Sequence, residues 1–360
     1  MLTEIDRSTG KVTRPLRIAY IGANRGTSRH RAEALRRLRH EVCIVDPWEH
    51  LGYSGLMDAW LHHAGAFGIG VLIDGPILRA VQQSDPELVW VNQGEFLGPR
   101  LLHQLRALSI PIINYTNDDP FGAHRNGLRF RLYLKALPYY DLLAVVRTVN
   151  VHEATVHGAQ RVVRVFMSAD EEAHRPHKVT PETRSRYRSE VAFIGTWMPE
   201  RGQFMAALVR LGLPLSIWGD RWHKAREWSI IKSHWRGAAV YDERYAHVIQ
   251  STKVALGLVS KDNRDLHTTR SMEIPALGTV LCAERTSEHV SLYEEGIEAL
   301  FWSTPDECAT ACRRLLADDA YRQSVARRGR ARLQRNGNYN EQVLETLLDE
   351  VLHGGTTRQK

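Results

Sequence analysis

The sequence predicts an α/β protein built from two doubly wound, Rossmann-like parallel sheets. Three observations predict it. Strand-like apolar runs alternate with amphipathic helical stretches along most of the chain, the pattern of parallel sheets covered by helices on both faces. The 360 residues exceed what one hydrophobic core usually organises. A polar, basic stretch, SADEEAHRPHKVTPETRSRYRSE (168–190), interrupts the apolar pattern near the middle and reads as a linker. The expected division is an N-terminal domain over 1–170, a second over 171–336, and a last amphipathic helix within 337–360.

The N-terminal half opens on a βαβ unit. LRIAYIG (16–22) is a strand, ANRGTS a turn in which Ser28 is placed to cap a helix, RHRAEALRRLR that helix, and EVCIVD (41–46) the next strand. LVWVNQ (88–93), PIINYT (111–116) and LLAVVR (142–147) continue the series. After the linker it restarts. VAFIGTW, PLSIWGD, KVALGLV and TVLCAE read as strands, with RGQFMAALVRLG, DERYAHVIQST and RSMEIPALG as the helices between them. Two such domains would put the C-terminal strand ends of both sheets around one cleft, where open α/β sheets bind ligands.

Composition narrows the class. Hydrophobic residues make up 43% and charged ones 25%, as in ordinary globular proteins, which excludes a fibrous or long disordered chain. The formal net charge of +7 favours phosphorylated or polyanionic partners without naming one. No apolar run reaches the roughly 18 residues a membrane helix needs, and the first fifteen residues are polar, so the expected location is cytoplasmic. Cys43, Cys282, Cys308 and Cys312 form no CxxC pair, and reduced structural thiols are expected.

The densest chemistry lies in KDNRDLHTTRSMEIPALG (261–278), which joins the strand KVALGLV to a helix carrying Arg270 and Glu273. Thr268 and Thr269 are natural cap residues, and a helix starting there would offer free amides and its positive dipole to a diphosphate. Glu273, one turn in, can accept hydrogen bonds from a vicinal diol such as ribose. Alternatively, Thr269 and Glu273 are a loosely spaced capping pair that only stabilises the helix start. His267 can bond a phosphate or sugar, or simply be exposed. In NDDPF (117–121) a carboxylate of Asp118 or Asp119 can orient or deprotonate an acceptor hydroxyl, whereas Asp119-Pro120 also reads as a plain helix start. Gly22, in the first turn, can admit a phosphate or serve close packing alone. Trp222, in GDRW, lies near a base or in the core.

The run TRSMEIPALGTVLCAE and its continuation through YEEG and STPDE to a basic last helix resemble the C-terminal domain of GT-B glycosyltransferases of group 1. The branch it is most similar to is that of the CgeB-like spore maturation proteins. NYTNDDPF, HGAQRVVRVFMSADEEAHRP and FIGTWMPERG extend the resemblance weakly upstream. It implies transfer of a sugar from a nucleoside diphosphate to a hydroxyl acceptor, with retention of configuration and without a metal or other cofactor. The acceptor would sit in the first domain and the donor in the second. It implies that Glu273 contacts the donor ribose, that Arg201 binds the diphosphate, and that Gly195 forms the tight turn beside it. The last helix would cross back to the first domain. Group-1 enzymes carry a glutamate eight residues before the ribose acid; Asp265 stands there, a shorter carboxylate.

Other chemistries fit less well. His152 and His157 are five apart, about 140° around a helix, unlike the i, i+4 pair of a zinc protease, and no metal site is indicated. Asp46, ending the second strand, is similar to a ribose-binding acid of dinucleotide enzymes, so an NAD-dependent oxidoreductase is the alternative enzyme class, although GANRG is not GxGxxG. RRLLADDAYRQSVARRGRARLQRN (313–336) holds eight arginines against two aspartates, suited to an anionic membrane surface or a nucleic acid. It lacks interleaved aromatics apart from Tyr321, so no nucleic-acid partner is expected.

Overall fold

A computed structural model describes residues 14–52, 60, 65, 67–122 and 128–354. It contains two six-stranded sheets, and every strand pair in them is parallel. The chain divides into two compact units. Unit 1 holds residues 1–166, 261–264 and 340–360; unit 2 holds 167–260 and 265–339.

In unit 1 the strands are β1 (Arg17–Ile21), β2 (Glu41–Val45), β3 (Leu88–Asn92), β4 (Ile112–Thr116), β5 (Leu142–Val145) and β6 (Val162–Arg164). Their order is β2-β1-β3-β4-β5-β6. The central strands β3 and β4 are buried along their whole length and are mostly apolar, with Asn92, Asn114 and Thr116 as their buried polar residues. The chain runs outward from β1 to β2 and returns to β3 on the other side, so the strand order reverses between β1 and β3. The first helix, Gly26–Arg37, starts two residues ahead of the expected cap: Arg25 is extended at the N-cap without a capping side chain, and Ser28 lies inside the first turn. The last helix, Asn340–His353, buries Leu344, Leu347, Leu348 and Val351 and belongs to unit 1, where Glu341 pairs with Arg37 and Glu350 with Arg161.

In unit 2 the strands are β7 (Ser189–Ile194), β8 (Leu215–Trp218), β9 (Trp235–Gly237), β10 (Thr252–Gly257), β11 (Val280–Glu284) and β12 (Leu300–Trp302), in the order β12-β11-β10-β7-β8-β9. Here the reversal falls between β7 and β10. The stretch expected to be a linker is not wholly irregular, since Thr180 caps a helix over Pro181–Tyr187 that precedes β7. The edge strands β6, β9 and β12 are three residues each, too short to show a period in sequence.

Candidate functional site

Unit 2 brings most of the expected residues to the C-terminal ends of β7 and β10. After β7 the chain turns at Gly195, whose amide donates to the Trp218 carbonyl at 2.9 Å and whose carbonyl accepts from Trp222 Nε1 at 3.0 Å. Trp222 is thus a core residue, 1% exposed. A Cβ on Gly219, at φ +145°, would stand 2.0 Å from the Gly195 carbonyl oxygen, so the turns after β7 and β8 touch backbone to backbone.

Arg201 lies in the first turn of the helix Pro199–Arg210 and is only 8% exposed. Its guanidinium donates to the Thr196 carbonyl at 2.9 Å, beyond β7, and to the Val259 carbonyl at 3.4 Å, beyond β10. It therefore sits at the point where the strand order reverses, the usual ligand position in open α/β sheets. Its Nε has no acceptor, and among the described residues no carboxylate lies within ion-pair distance. Burial, and the Arg270 charge beside it, push the guanidinium below its ordinary value. Its direct hydrogen bonds are to carbonyls and its face lies against the Phe193 ring, while Glu200, Asp265 and Glu284 act on it only at longer range, so an anion that joined it would offset part of the cost of burying it.

Arg270 is differently placed. It begins the helix Arg270–Ala276, lies over the Tyr245 ring at 4.6 Å, donates to the Ile194 carbonyl at 3.3 Å and pairs with Glu273 at 2.5 Å. Glu273 is 1% exposed, with His174 Nε2 3.7 Å from its other oxygen. His174 Nδ1 accepts from the Asp170 amide, so its proton is on Nε2 and faces the carboxylate. Burial alone would raise the Glu273 carboxyl, but Arg270 and His174 outweigh it and hold it down to about 2. The arrangement makes Glu273 the anchor of Arg270. Tyr245 and His174 carried no signal of their own in the sequence, because their roles depend on the helix Asp242–Gln250, the turn at His174 and the helix Arg270–Ala276 meeting.

Thr268 and Thr269 do not cap the helix as expected. Thr269 is itself in helical backbone conformation, and no side-chain cap bond forms. The direction is reversed: the Thr268 amide donates to the Ser271 hydroxyl at 3.0 Å, because Ser271 is fixed from the far side by His289 and can turn its oxygen back. Pro275 has no amide for the Ser271 carbonyl, and the Tyr293 hydroxyl supplies the missing donor at 2.7 Å. His267 is also a correction. It is 2% exposed, its Nε2 accepts from the Met167 amide at 2.9 Å, and its Nδ1 faces Glu288, so both ring nitrogens are engaged within the protein. Asp265 is buried, bonds the Ser260 carbonyl through its amide, and acts on Arg201 through its charge.

In unit 1, Asp119 is fully buried and accepts two bonds from Arg264, at 2.6 and 2.9 Å, with further donors from Asn150 and the Phe121 amide. Burial pulls its carboxyl upward, yet Arg264 and the Phe121 amide leave it below its ordinary value. A carboxylate so saturated is a poor proton acceptor, and it starts no helix among the described residues. Asp118 faces Arg129 at 2.9 Å. Arg129 also pairs with Glu95, which burial raises above the ordinary carboxylate range. Gly22 is where β1 leaves the sheet: a Cβ there would meet Asn92 Cβ and Ser28 Oγ, each at 2.9 Å. Asp46, the acid of the dinucleotide alternative, accepts the Asn24 and Trp48 amides, one on each oxygen. Residues 53–59, 61–64, 66 and 123–127 lie outside the described residues.

The two sheets with their order reversals decide the comparison with known folds. The chain has the GT-B fold. Sucrose-phosphate synthase from Thermosynechococcus elongatus superimposes with a TM-score of 0.68 at 12% identity, over 95% of this chain and 99% of that one. A trehalose-phosphate synthase (UDP-forming) from Burkholderia xenovorans, in complex with glucose-6-phosphate, gives 0.64 at 12% identity, over 93% and 100%. Anabaena HepE, in complex with UDP, gives 0.62 at 13%, over 92% and 99%. Residues 201–349, which begin at Arg201 and include most of unit 2, match the family described as glycosyl transferase-like. No curated protein matches in sequence.

One cluster in this GT-B chain was invisible in sequence. Cys282 on β11 meets Cys308 and Cys312, one turn apart on the helix Pro305–Ala317, with all three sulfurs within 4.8 Å of one another; they are the one group of three soft or acidic ligands among the described residues. They lie inside the apolar core of unit 2, and the neighbouring sulfurs together with burial hold the Cys282 thiol well above its ordinary value. That state is a neutral, packed thiol.

Proposed function

We propose that this protein is a glycosyltransferase that moves a sugar from a nucleoside diphosphate to a hydroxyl acceptor, with the donor held by unit 2 and the acceptor by unit 1. The observation that carries the reading is Arg201, a buried guanidinium at the strand-order reversal of unit 2 that has no carboxylate at ion-pair distance among the described residues. A diphosphate supplies the missing charge, and it gains more charge as it leaves, so the same guanidinium favours the transition state. Arg270, kept in place by Glu273 and Tyr245, is the second cation. The Gly195 turn, where a Cβ would collide with the Phe193 ring, lets the backbone come close to the phosphates. Glu273 reaches a ribose only by opening its contacts, so its first role in this reading is to orient Arg270. The solved likenesses include proteins in complex with UDP and with UDP-glucose, which favours a uridine donor.

Retention of configuration, metal independence, membership of the CgeB-like branch and a cytoplasmic location belong to the same proposal. With Asp119 saturated, the departing phosphate oxygen is the base that takes the acceptor proton. The alternatives lose ground on particular contacts. Asp46 is occupied by backbone amides, which disfavours a dinucleotide ribose. In the basic helix Asp319–Asn336, Arg332 and Arg335 both face Glu298 and Arg322 faces Asp319, so part of its charge is spent internally.

Calorimetric titration with UDP and a panel of sugar nucleotides tests the reading. The wild-type protein is expected to bind UDP, and Arg201→Ala to weaken it by about 2 kcal/mol, roughly 30-fold, the scale of a charge-assisted hydrogen bond. Equal affinity in both proteins would refute the donor site.

A further inference from the structure

Unit 1 repeats the arrangement found at Arg201. Arg31, on the helix Gly26–Arg37, is 2% exposed. Its guanidinium donates to Asn92 Oδ1 at 3.1 Å, at the end of β3, and to Asn117 Oδ1 at 3.2 Å, just beyond β4. It lies over the Tyr115 ring at 4.2 Å. These partners are neutral. Nε has no acceptor, the Tyr115 hydroxyl beneath it has no partner, and among the described residues no carboxylate reaches ion-pair distance. A structural arginine buried this far is ordinarily matched by a carboxylate, because amide oxygens offset only part of the cost of removing the charge from water. Such neutral pairing suits a site that receives its counter-ion from outside.

The position agrees. Asn92 and Gly22 end β3 and β1, between which the strand order of this sheet reverses. The helix that carries Arg31 is twelve residues long and has no acid in its first turn, and the Asp46 carboxylate accepts the Asn24 amide just ahead of it. Asn24 and Arg25, at the start of this helix, are exposed, and Asn117 is half-buried.

We propose that the acceptor carries an anionic group, a phosphate or a carboxylate, and that Arg31 receives it at the β1–β3 reversal of unit 1. The proposal deepens the glycosyltransferase reading by naming the acceptor class, and it rests on that reading for the word acceptor. The anion site itself does not depend on it. Arg31 is a binding and specificity residue here, and Asn92 and Asn117 are its positioning residues.

The test is calorimetric titration of the full chain with inorganic phosphate, glucose 6-phosphate, glucuronate, glucose and UDP. The wild-type protein is expected to bind phosphate or at least one charged sugar at least tenfold more tightly than glucose; the 6-phosphate and glucuronate arms separate the two anion sources. Arg31→Gln should abolish that preference and leave UDP affinity unchanged. Asn117→Asp, which supplies an internal counter-ion, should abolish it too while raising the melting temperature, so the outcome does not depend on a single variant that fails to fold. Arg201→Ala should weaken UDP about 30-fold and keep the anion, which separates failure of the donor reading from failure of this one. Indifference of the wild-type protein to charge, an unaltered preference in both Arg31→Gln and Asn117→Asp, or loss of UDP binding in Arg31→Gln would each overturn the proposal.

Discussion

The Ser271 hydroxyl donates to His289 Nε2 at 2.7 Å while accepting the Thr268 amide at 3.0 Å. His289 Nδ1 in turn donates to the Glu284 carbonyl at 2.6 Å, so the imidazole is neutral and its tautomer is set. The chain of bonds fixes the start of the Arg270 helix from behind. Protonation would remove the acceptor that Ser271 needs. Burial lowers His289 from 6.5 to about 4, so the unfolded chain binds the extra proton first as pH falls. Its contribution is complete above pH 6.5 and is lost on descending to about 4, a difference of about 3 kcal/mol. Melting temperature should therefore fall across that window, and His289→Gln should flatten the slope; an unchanged slope in the variant would exclude His289 as the source.

Glu273 acts in a lower window. Its carboxyl is held down to about 2 against an ordinary 4.5, so its contribution is present above 4.5 and disappears as pH falls toward 2. Glu273→Gln leaves Arg270 without its carboxylate. Because Arg270 is 31% exposed, solvent softens the loss to about 2 kcal/mol. Chemical denaturation should show that loss at pH 7, and UDP affinity should drop with it. Full retention of both would mean that Arg270 is positioned by Tyr245 and the Ile194 carbonyl alone.

Glycine substitutions discriminate between two kinds of turn. Gly219→Ala places a methyl 2.0 Å from a backbone oxygen at φ +145°, and should cost more than about 3 kcal/mol or prevent folding. Gly212→Ala, at φ +72° with nothing within 4 Å, should cost about 1 kcal/mol. Comparable melting temperatures for the two variants would contradict the close approach of the β7 and β8 turns.

Thiol accessibility gives a fourth check. Cys43 is exposed and the other three cysteines are buried. Ellman's reagent should modify one thiol rapidly in the native protein and the remaining three only on unfolding. Rapid reaction of two or more would show that the unit 2 core opens.

The fold was largely legible because its central strands are short, mostly apolar, β-branched and aromatic runs separated by helical periods, as in IINYT and RIAYI. What escaped were the three-residue edge strands, where no period can be seen, and the helix inside the supposed linker. Arg270 stood out in the sequence by its place just after a strand, and Arg201 only through the family resemblance. The candidate site was illegible where function depends on chain segments far apart in sequence. His174 reaches Glu273 across about a hundred residues, and Arg31, on the first helix, meets Asn92 and Asn117 at the ends of two later strands. His267 and Asp119 misled for the same reason: a polar residue in a loop looks available until its partners, Met167 and Arg264, arrive from elsewhere.

The return of residues 340–353 to unit 1 makes the chain dissectable from one side only. A recombinant fragment spanning 167–339 retains every strand of its sheet. One ending at 166 would lose the leucine-lined helix that covers its first helix, and would present that bare surface to its neighbours. Expression of the two pieces should give a soluble protein in the first case and aggregates in the second, only partly rescued by a peptide of 340–353 in trans, because Arg264, the partner of buried Asp119, is missing as well.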